Sequence, residues 1–182
     1  GVALRKIDAG DDGHGHAPGG DDPHIWLDPE RVIAMLEPLR DRLIALDPLH
    51  RDDYSDNYRR FVAQLRQLQQ DLRQQLQGPK SREFMVFHPS WGYFADAFGL
   101  RQLPIEVDGK PPGAHRLGDL IAHASAAGLG VIFIQPQFAH EQARTLAQAI
   151  GARVIPLDPL AEDYMNNLRQ AVTAIRQGQK DD

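Results

Sequence analysis

The segment "FMVFHPSWGYFADAFG", residues 84–99, decides the fold class of this chain. Four apolar residues are followed by a polar turn, an aromatic-rich helical pattern and a closing glycine, which is typical of a strand that leads into a helix. Three similar units follow, with apolar runs at 103–107, 131–134 and 154–157 and helical patterns at 117–127, 141–150 and 162–176. This alternation predicts an α/β lobe with a four-stranded parallel sheet flanked by helices.

Two helical patterns precede this lobe. Asp28 and Pro29 form a helix start, because an aspartate caps the first free amides and a proline lacks only an N–H that the first turn does not use. Pro38 is expected to bend or divide this first helix. The second pattern begins near Asp52, keeps its apolar stripe over about 25 residues and ends at Gly78, so it predicts a helix long enough to cross a small domain.

Composition excludes several classes of function. The 182 residues carry a net charge of −5 and no basic stripe with interleaved aromatics, so nucleic acid is not an expected partner. The chain has no cysteine, which removes disulfides, thiolate metal sites and cysteine nucleophiles. Any metal has to be bound by histidine, aspartate, glutamate or water. No apolar run approaches the roughly 18 residues of a membrane span.

The carboxyl ends of the predicted strands are where parallel sheets bind ligands. The residues that directly follow the four apolar runs are His88, Asp108, Gln135 and Asp158. His88 and Asp158 are each followed by proline, which restricts the backbone at the point where the side chain has to be aimed. An imidazole with a carboxylate suits zinc or manganese. His24, just before the first helix, supplies another imidazole if the helical zone folds over the edge of the sheet.

Structural roles stay open for these residues at this point. A histidine at a strand end is often a hydrogen-bonded structural residue, and Asp158 with its following proline also fits an ordinary strand-to-helix turn. Residues 8–23 contain Gly, Asp, His and Pro with almost no apolar side chain, which indicates a flexible loop. His14 and His16 in this loop either collect metal weakly or are simply solvated.

Five motifs, in order, resemble one family. They are "DPHIWLDP" (22–29), "FHPSWGYFADAFGL" (87–100), "EVDGKPPGAHRLGDLI" (106–121), "IFIQPQFA" (132–139) and "LDPLAEDYMNNLR" (157–169). Together they resemble the metal-specific solute-binding proteins of zinc and manganese ABC transporters, the ZnuA/TroA-like group. The resemblance covers the chain from Asp22 on. A histidine-rich loop directly before "DPHIW" is also a feature of the zinc-specific members.

The family's fold, as the resemblance implies, is two α/β lobes joined by one long helix, with the metal bound between the lobes. Residues 1–27 then correspond to a remnant of the N-terminal lobe with its histidine-rich loop. Residues 28–78 correspond to a helical segment that includes the interlobe helix, and residues 79–182 to the C-terminal lobe. We expect most of the N-terminal lobe, with its first histidine ligand, to be absent from this chain.

The resemblance also implies ligands and function. His24, His88 and Asp158 match metal ligands, and His14 and His16 belong to a loop that collects metal weakly. The implied role is transport, not catalysis: a periplasmic or otherwise extracytoplasmic protein captures a divalent metal ion and delivers it to an ABC permease. Two imidazoles with one carboxylate favour Zn²⁺ over Mn²⁺, since manganese sites carry more oxygen donors. Apolar surface on helices 28–76 is expected to favour self-association.

Two other classes are compatible with the same residues. A zinc hydrolase would use the His/His/Asp set with water in the open position, and Glu106 is the nearby candidate for its general base. No HExxH-type motif supports this reading. A structural α/β interaction module needs no ligands, and it predicts that His24→Ala and His88→Ala leave metal affinity unchanged.

Overall fold

The computed structural model describes residues 3–7, 20–78, 81–106, 110, 112–137 and 141–178. Short 3-10 helices cover Ile25–Leu27 and Pro48–His50. The α-helices and strands of the described ranges are α1 (Pro29–Leu46), α2 (Arg51–Gln75), β1 (Glu83–Val86), α3 (Gly92–Phe98), β2 (Arg101–Pro104), α4 (Ala114–Ala126), β3 (Val131–Ile134), α5 (Glu141–Ile150), β4 (Arg153–Pro156) and α6 (Tyr164–Gln177). The predicted order of strands and helices is confirmed.

All four strands are parallel and lie in the order β2-β1-β3-β4. Side chains alternate between the two faces of the sheet, as the strand period requires. Phe84 and Val86 pack in one hydrophobic cluster with residues of α2, α3 and α6, whereas Met85 packs in a second cluster with residues of α4 and α5. Helices therefore cover both faces, which explains why β3 is apolar at every position.

The helical segment is joined to this lobe by α2. Asp28 caps α1 as predicted, because its side chain accepts a hydrogen bond from the Glu30 amide at 2.9 Å. The first helix is not divided at Pro38, which is exposed, so water can satisfy the carbonyl that a proline leaves unpaired. α1 packs along α2, and α2 buries Leu68 and Leu72 in the core while packing on α6.

Strand boundaries differ slightly from the sequence expectation. Strands β1, β2 and β4 begin at Glu83, Arg101 and Arg153, one or two residues before the apolar runs. Backbone pairing does not require an apolar side chain at the amino edge of a sheet, so apolar content predicts the start of a strand poorly. In the described ranges, every helix is too short or too polar to span a lipid bilayer.

Candidate metal centre

His24 and His88 lie next to each other in the structure. Their ring centroids are 5.5 Å apart with an angle of 76° between the ring planes. His24 stands directly before the 3-10 helix Ile25–Leu27, which is anchored by the fully buried Leu27. His88 follows β1 at the carboxyl end of the sheet. The side chains of His24 and His88 are 15% and 29% exposed, so both imidazoles are accessible from solvent.

Asp22 holds the imidazole of His24. Its Oδ1 lies 2.7 Å from His24 Nδ1 and accepts the His24 backbone N–H at 3.0 Å, while Arg5 Nη1 donates to Oδ2 at 3.1 Å. Burial alone would raise the pKa of Asp22, but the hydrogen bonds from His24 and Arg5 outweigh it and hold that pKa below its ordinary value. An ionised carboxylate only accepts, so His24 Nδ1 carries the hydrogen and Nε2 is the nitrogen that can bind a metal.

Glu106 plays the same part for His88, since its Oε1 contacts His88 Nδ1. The pairing of β1 with β2 continues past both strands and brings this carboxylate into place. Ile105 N donates to Val86 O at 2.9 Å and Glu106 N donates to Phe87 O at 3.1 Å. Each histidine is therefore oriented by a carboxylate, the arrangement that commonly supports metal-binding imidazoles.

Neither carboxylate was assigned this role from the sequence. Asp22 had a local signal, because an aspartate two residues before a histidine can accept from both its backbone and its ring. Glu106 was considered only as a general base. No local pattern relates it to His88, since the two meet only through the sheet register.

Asp158 lies in the turn after β4. Its Oδ1 accepts from Leu160 N at 2.9 Å and from Gln137 Nε2 at 2.8 Å, and its backbone carbonyl accepts from Asn167 Nδ2 at 2.6 Å. Trp26 Nε1 donates to the neighbouring Pro159 carbonyl at 2.8 Å, which ties this turn to the segment that carries His24.

The structure thus brings two of the three expected ligands together. Across the described ranges, no three His, Asp or Glu side chains are grouped closely enough to hold a metal ion. The assignment of Asp158 as a ligand remains a prediction. His14 and His16, with the strand-end residue Asp108, lie outside the described residues.

Gln135, the remaining strand-end residue, forms part of a wall beside His88. Its Nε2 donates to Ser90 Oγ at 2.8 Å, and both side chains are buried. They contribute to a narrow crevice whose lining is Val86, His88, Ser90, Trp91, Phe133, Ile134, Gln135 and Leu157. The Gln135 side-chain amide is bonded to Ser90, so we interpret Gln135 as part of the wall beside His88 and not as a metal ligand.

Comparisons with known proteins identify the family of this chain. The family model described as ZnuA, zinc-uptake complex component A, periplasmic, matches residues 1–178. The zinc-binding protein AdcA of Streptococcus pyogenes serotype M3 is 28% identical over 178 residues, which cover 91% of this chain and 34% of AdcA. The high-affinity zinc uptake system protein ZnuA of Yersinia pestis is 30% identical, over 91% of this chain and 58% of that protein. The chain therefore spans only part of the length of these relatives.

Solved structures show the same fold. A crystal structure of ZnuA is 41% identical with a TM-score of 0.85, over 92% of this chain and 63% of that one. A ZnuA deletion mutant with zinc bound is 37% identical with a TM-score of 0.89, over 100% of this chain and 67% of that one. The resemblance seen in the sequence is confirmed, and the chain belongs to the ZnuA family of periplasmic zinc-uptake components.

Proposed function

We propose that this chain is part of an extracytoplasmic protein that captures Zn²⁺ and delivers it to an ABC permease. The names of its relatives, a zinc-binding protein and a zinc uptake protein, support this class of function. The observation that carries the proposal is the pair of imidazoles of His24 and His88, each with a carboxylate on Nδ1. Neutral imidazoles held in this way are preferred zinc ligands.

The proposed ligand set is His24 Nε2, His88 Nε2 and Asp158. The Oδ1 atom of Asp158 already accepts hydrogen bonds from Gln137 Nε2 and Leu160 N. We therefore assign its Oδ2 atom to the metal. This set favours Zn²⁺ over Mn²⁺ because two of its three donors are nitrogen. His14 and His16 are proposed to collect metal weakly before it reaches the main site.

A zinc titration against a chelating competitor tests the proposal. All variants carry His14→Ala and His16→Ala, so that only the main site is measured. One-to-one binding is expected in this background, and His24→Ala or His88→Ala should weaken it by at least about 100-fold. The matched control is His115→Ala, because the His115 side chain is 95% exposed and pairs with Asp119 on its own helix. Equal affinity in all variants would contradict the proposal.

Hydrolysis is not favoured by the geometry. Glu106, the candidate general base, contacts Nδ1 of His88, where it orients a ligand. The family description also names an uptake component and no enzyme. An interaction module without a metal predicts that the two alanine variants bind zinc as the parent does, so the same titration distinguishes it.

We also propose that this chain self-associates through α1 and the turn that follows it. Leu39, Leu46 and Leu49 are 53%, 67% and 93% exposed, and burying such side chains against a second copy is favourable. Sedimentation equilibrium should show a dimer that Leu39→Glu with Leu46→Glu shifts to monomer. A strict monomer at every concentration of the parent chain would contradict this proposal.

A further inference from the structure

We infer that Arg5 is a positioning residue for the zinc ligand His24, acting through Asp22, and that Gly92 is needed because it leaves room for the Arg5 guanidinium. This inference rests on the proposed role of His24. It assigns a role to Arg5, which precedes His24 by 19 residues, and to Gly92, which has no positive φ to explain a glycine there.

Arg5 and Asp22 are neighbours in a short antiparallel pairing. Ile7 N donates to Gly20 O at 3.0 Å and Asp22 N donates to Arg5 O at 2.9 Å, with an isolated bridge between Lys6 and Asp21. The backbones of these two segments are therefore fixed relative to each other, and the side chains of Arg5 and Asp22 can meet reproducibly.

The guanidinium of Arg5 connects two carboxylates. Its Nη1 donates to Asp22 Oδ2 at 3.1 Å and its Nε donates to Asp96 Oδ2 at 3.0 Å. The Asp22 side chain is fully buried and that of Arg5 is only 16% exposed. With Oδ2 held by Arg5, Asp22 presents Oδ1 to both the ring and the backbone N–H of His24. The planar, fixed donors of arginine suit this double contact, whereas a lysine amine provides no such fork.

Tyr93 fixes the same pair to the α/β lobe. Its hydroxyl accepts from Arg5 N at 2.9 Å and donates to Asp22 O at 3.0 Å, and its ring is fully buried in α3. Since His88 belongs to this lobe, the position of His24 relative to His88 depends on these contacts. We call Arg5, Asp22, Tyr93 and Asp96 the clasp.

Gly92 supplies the space that the clasp needs. A Cβ atom at this position would lie 1.7 Å from Arg5 Nη1, 2.4 Å from Arg5 Cζ and 3.0 Å from Asp22 Oδ2. The far end of an arginine is flexible, so an alanine here is expected to move the guanidinium away from Asp22 without disrupting α3. Gly118 in α4 is the matched control, because a Cβ atom there meets nothing within 4 Å.

The test compares Gly92→Ala, Arg5→Ala, the double variant and Gly118→Ala in the full 182-residue chain. Zinc affinity is measured by chelator competition, and hydrogen exchange of the His24 amide reports the clasp without metal. We expect Gly92→Ala and Arg5→Ala each to weaken zinc binding about 10- to 100-fold and to speed exchange at His24. The double variant should be no weaker than Arg5→Ala, because both changes remove the same contact. Gly118→Ala should match the parent.

The inference would be overturned if both single variants bound zinc and exchanged the His24 amide hydrogen as the parent does. It would also be overturned if the losses of zinc affinity in the two single variants added up in the double variant. Faster exchange in the clasp variants, with no zinc binding even by the parent, would reject the proposed function while supporting the clasp. Gly92→Ala keeps every atom of Arg5, so it decides the question if Arg5→Ala does not fold; circular dichroism and thermal unfolding verify the fold of each variant.

Discussion

The imidazole rings of His24 and His88 lie edge to face, 5.5 Å between centroids, and each has a carboxylate against its Nδ1 atom. This relationship joins a residue ahead of α1 to the carboxyl end of β1. Both rings are presented in the orientation that leaves Nε2 to coordinate an ion. In the proposed metal centre, Asp22 and Glu106 are therefore expected to matter as much as the histidines themselves.

Glu106→Gln should weaken zinc binding about 10-fold or more while leaving the fold intact. The amide oxygen of glutamine can still accept a hydrogen bond from His88 Nδ1. The negative charge that makes the imidazole a stronger metal ligand is lost. Zinc competition titration measures the effect. The control is Glu83→Gln, which alters another glutamate–histidine contact. Glu83 lies at the amino end of β1, away from His88, and contacts His123 at 2.6 Å. Equal losses in both variants would contradict the assigned role of Glu106.

Asp158→Asn tests the third ligand. Its amide oxygen preserves an acceptor for Leu160 N and Gln137 Nε2, so the turn should be retained. A neutral amide is a poorer zinc ligand than a carboxylate, and zinc affinity should fall at least about 10-fold. Asp163→Asn, at the N-cap of α6, is the control for a nearby loss of charge. Unchanged affinity in Asp158→Asn would remove this residue from the ligand set.

Trp26→Phe removes the donor that binds the Pro159 carbonyl at 2.8 Å. A phenyl ring preserves an aromatic neighbour for His24, whose ring centroid lies 5.5 Å from that of Trp26. We expect the free energy of unfolding to fall by about 1 kcal/mol and zinc to dissociate faster, because the turns that carry His24 and Asp158 lose a direct connection. Denaturant unfolding and stopped-flow chelation measure the two effects. An unchanged zinc dissociation rate would show that the bond is only structural.

Tyr164→Phe and Tyr93→Phe should differ in their effect on the free energy of unfolding. In the part of the chain that the structure describes, the buried Tyr164 hydroxyl has no hydrogen-bond partner, and burial together with the nearby Asp28 charge raises the pKa of Tyr164. Its removal should leave stability unchanged or raise it. Removing the Tyr93 hydroxyl breaks bonds to Arg5 and Asp22 and should cost about 1–3 kcal/mol. Chemical denaturation of both variants checks this, and equal effects would contradict it.

Asp28 gives a pH dependence of known sign. Burial raises its pKa above the ordinary value, so the stability that this group contributes is present at low pH and is lost as pH rises through the folded pKa. Asp28→Asn keeps an oxygen that can cap Glu30 N without the buried charge. Its stability relative to the parent should therefore be higher at about pH 7 than at about pH 4. Asp28→Ala removes the same charge but also loses the cap, so it should be about 1 kcal/mol less stable than Asp28→Asn at both pH values.

Denaturant unfolding of these two variants and the parent at both pH values measures the effect. A constant difference between Asp28→Asn and the parent would show that burial does not disfavour the ionised form of Asp28.

Element order was predictable from the sequence because its signals are local. The helix start at Asp28 and the end of α3 at Gly99 follow from side-chain chemistry within a few residues. Gly99 has φ +64°, a conformation that glycine adopts without steric cost. The strand boundaries were less accurate, since they depend on pairing with neighbouring strands.

The sequence by itself determined an α/β lobe, a capped helix after His24 and a histidine at the end of the first strand, because apolar periodicity and capping act over short stretches. Only the tertiary structure decided that His24 meets His88 and that Glu106 reaches His88. These contacts arise from the strand order β2-β1-β3-β4 and from packing between segments far apart in the chain, and no local pattern encodes them. For the same reason, the dependence of Asp22 on Arg5 and Gly92 could not be predicted from the sequence.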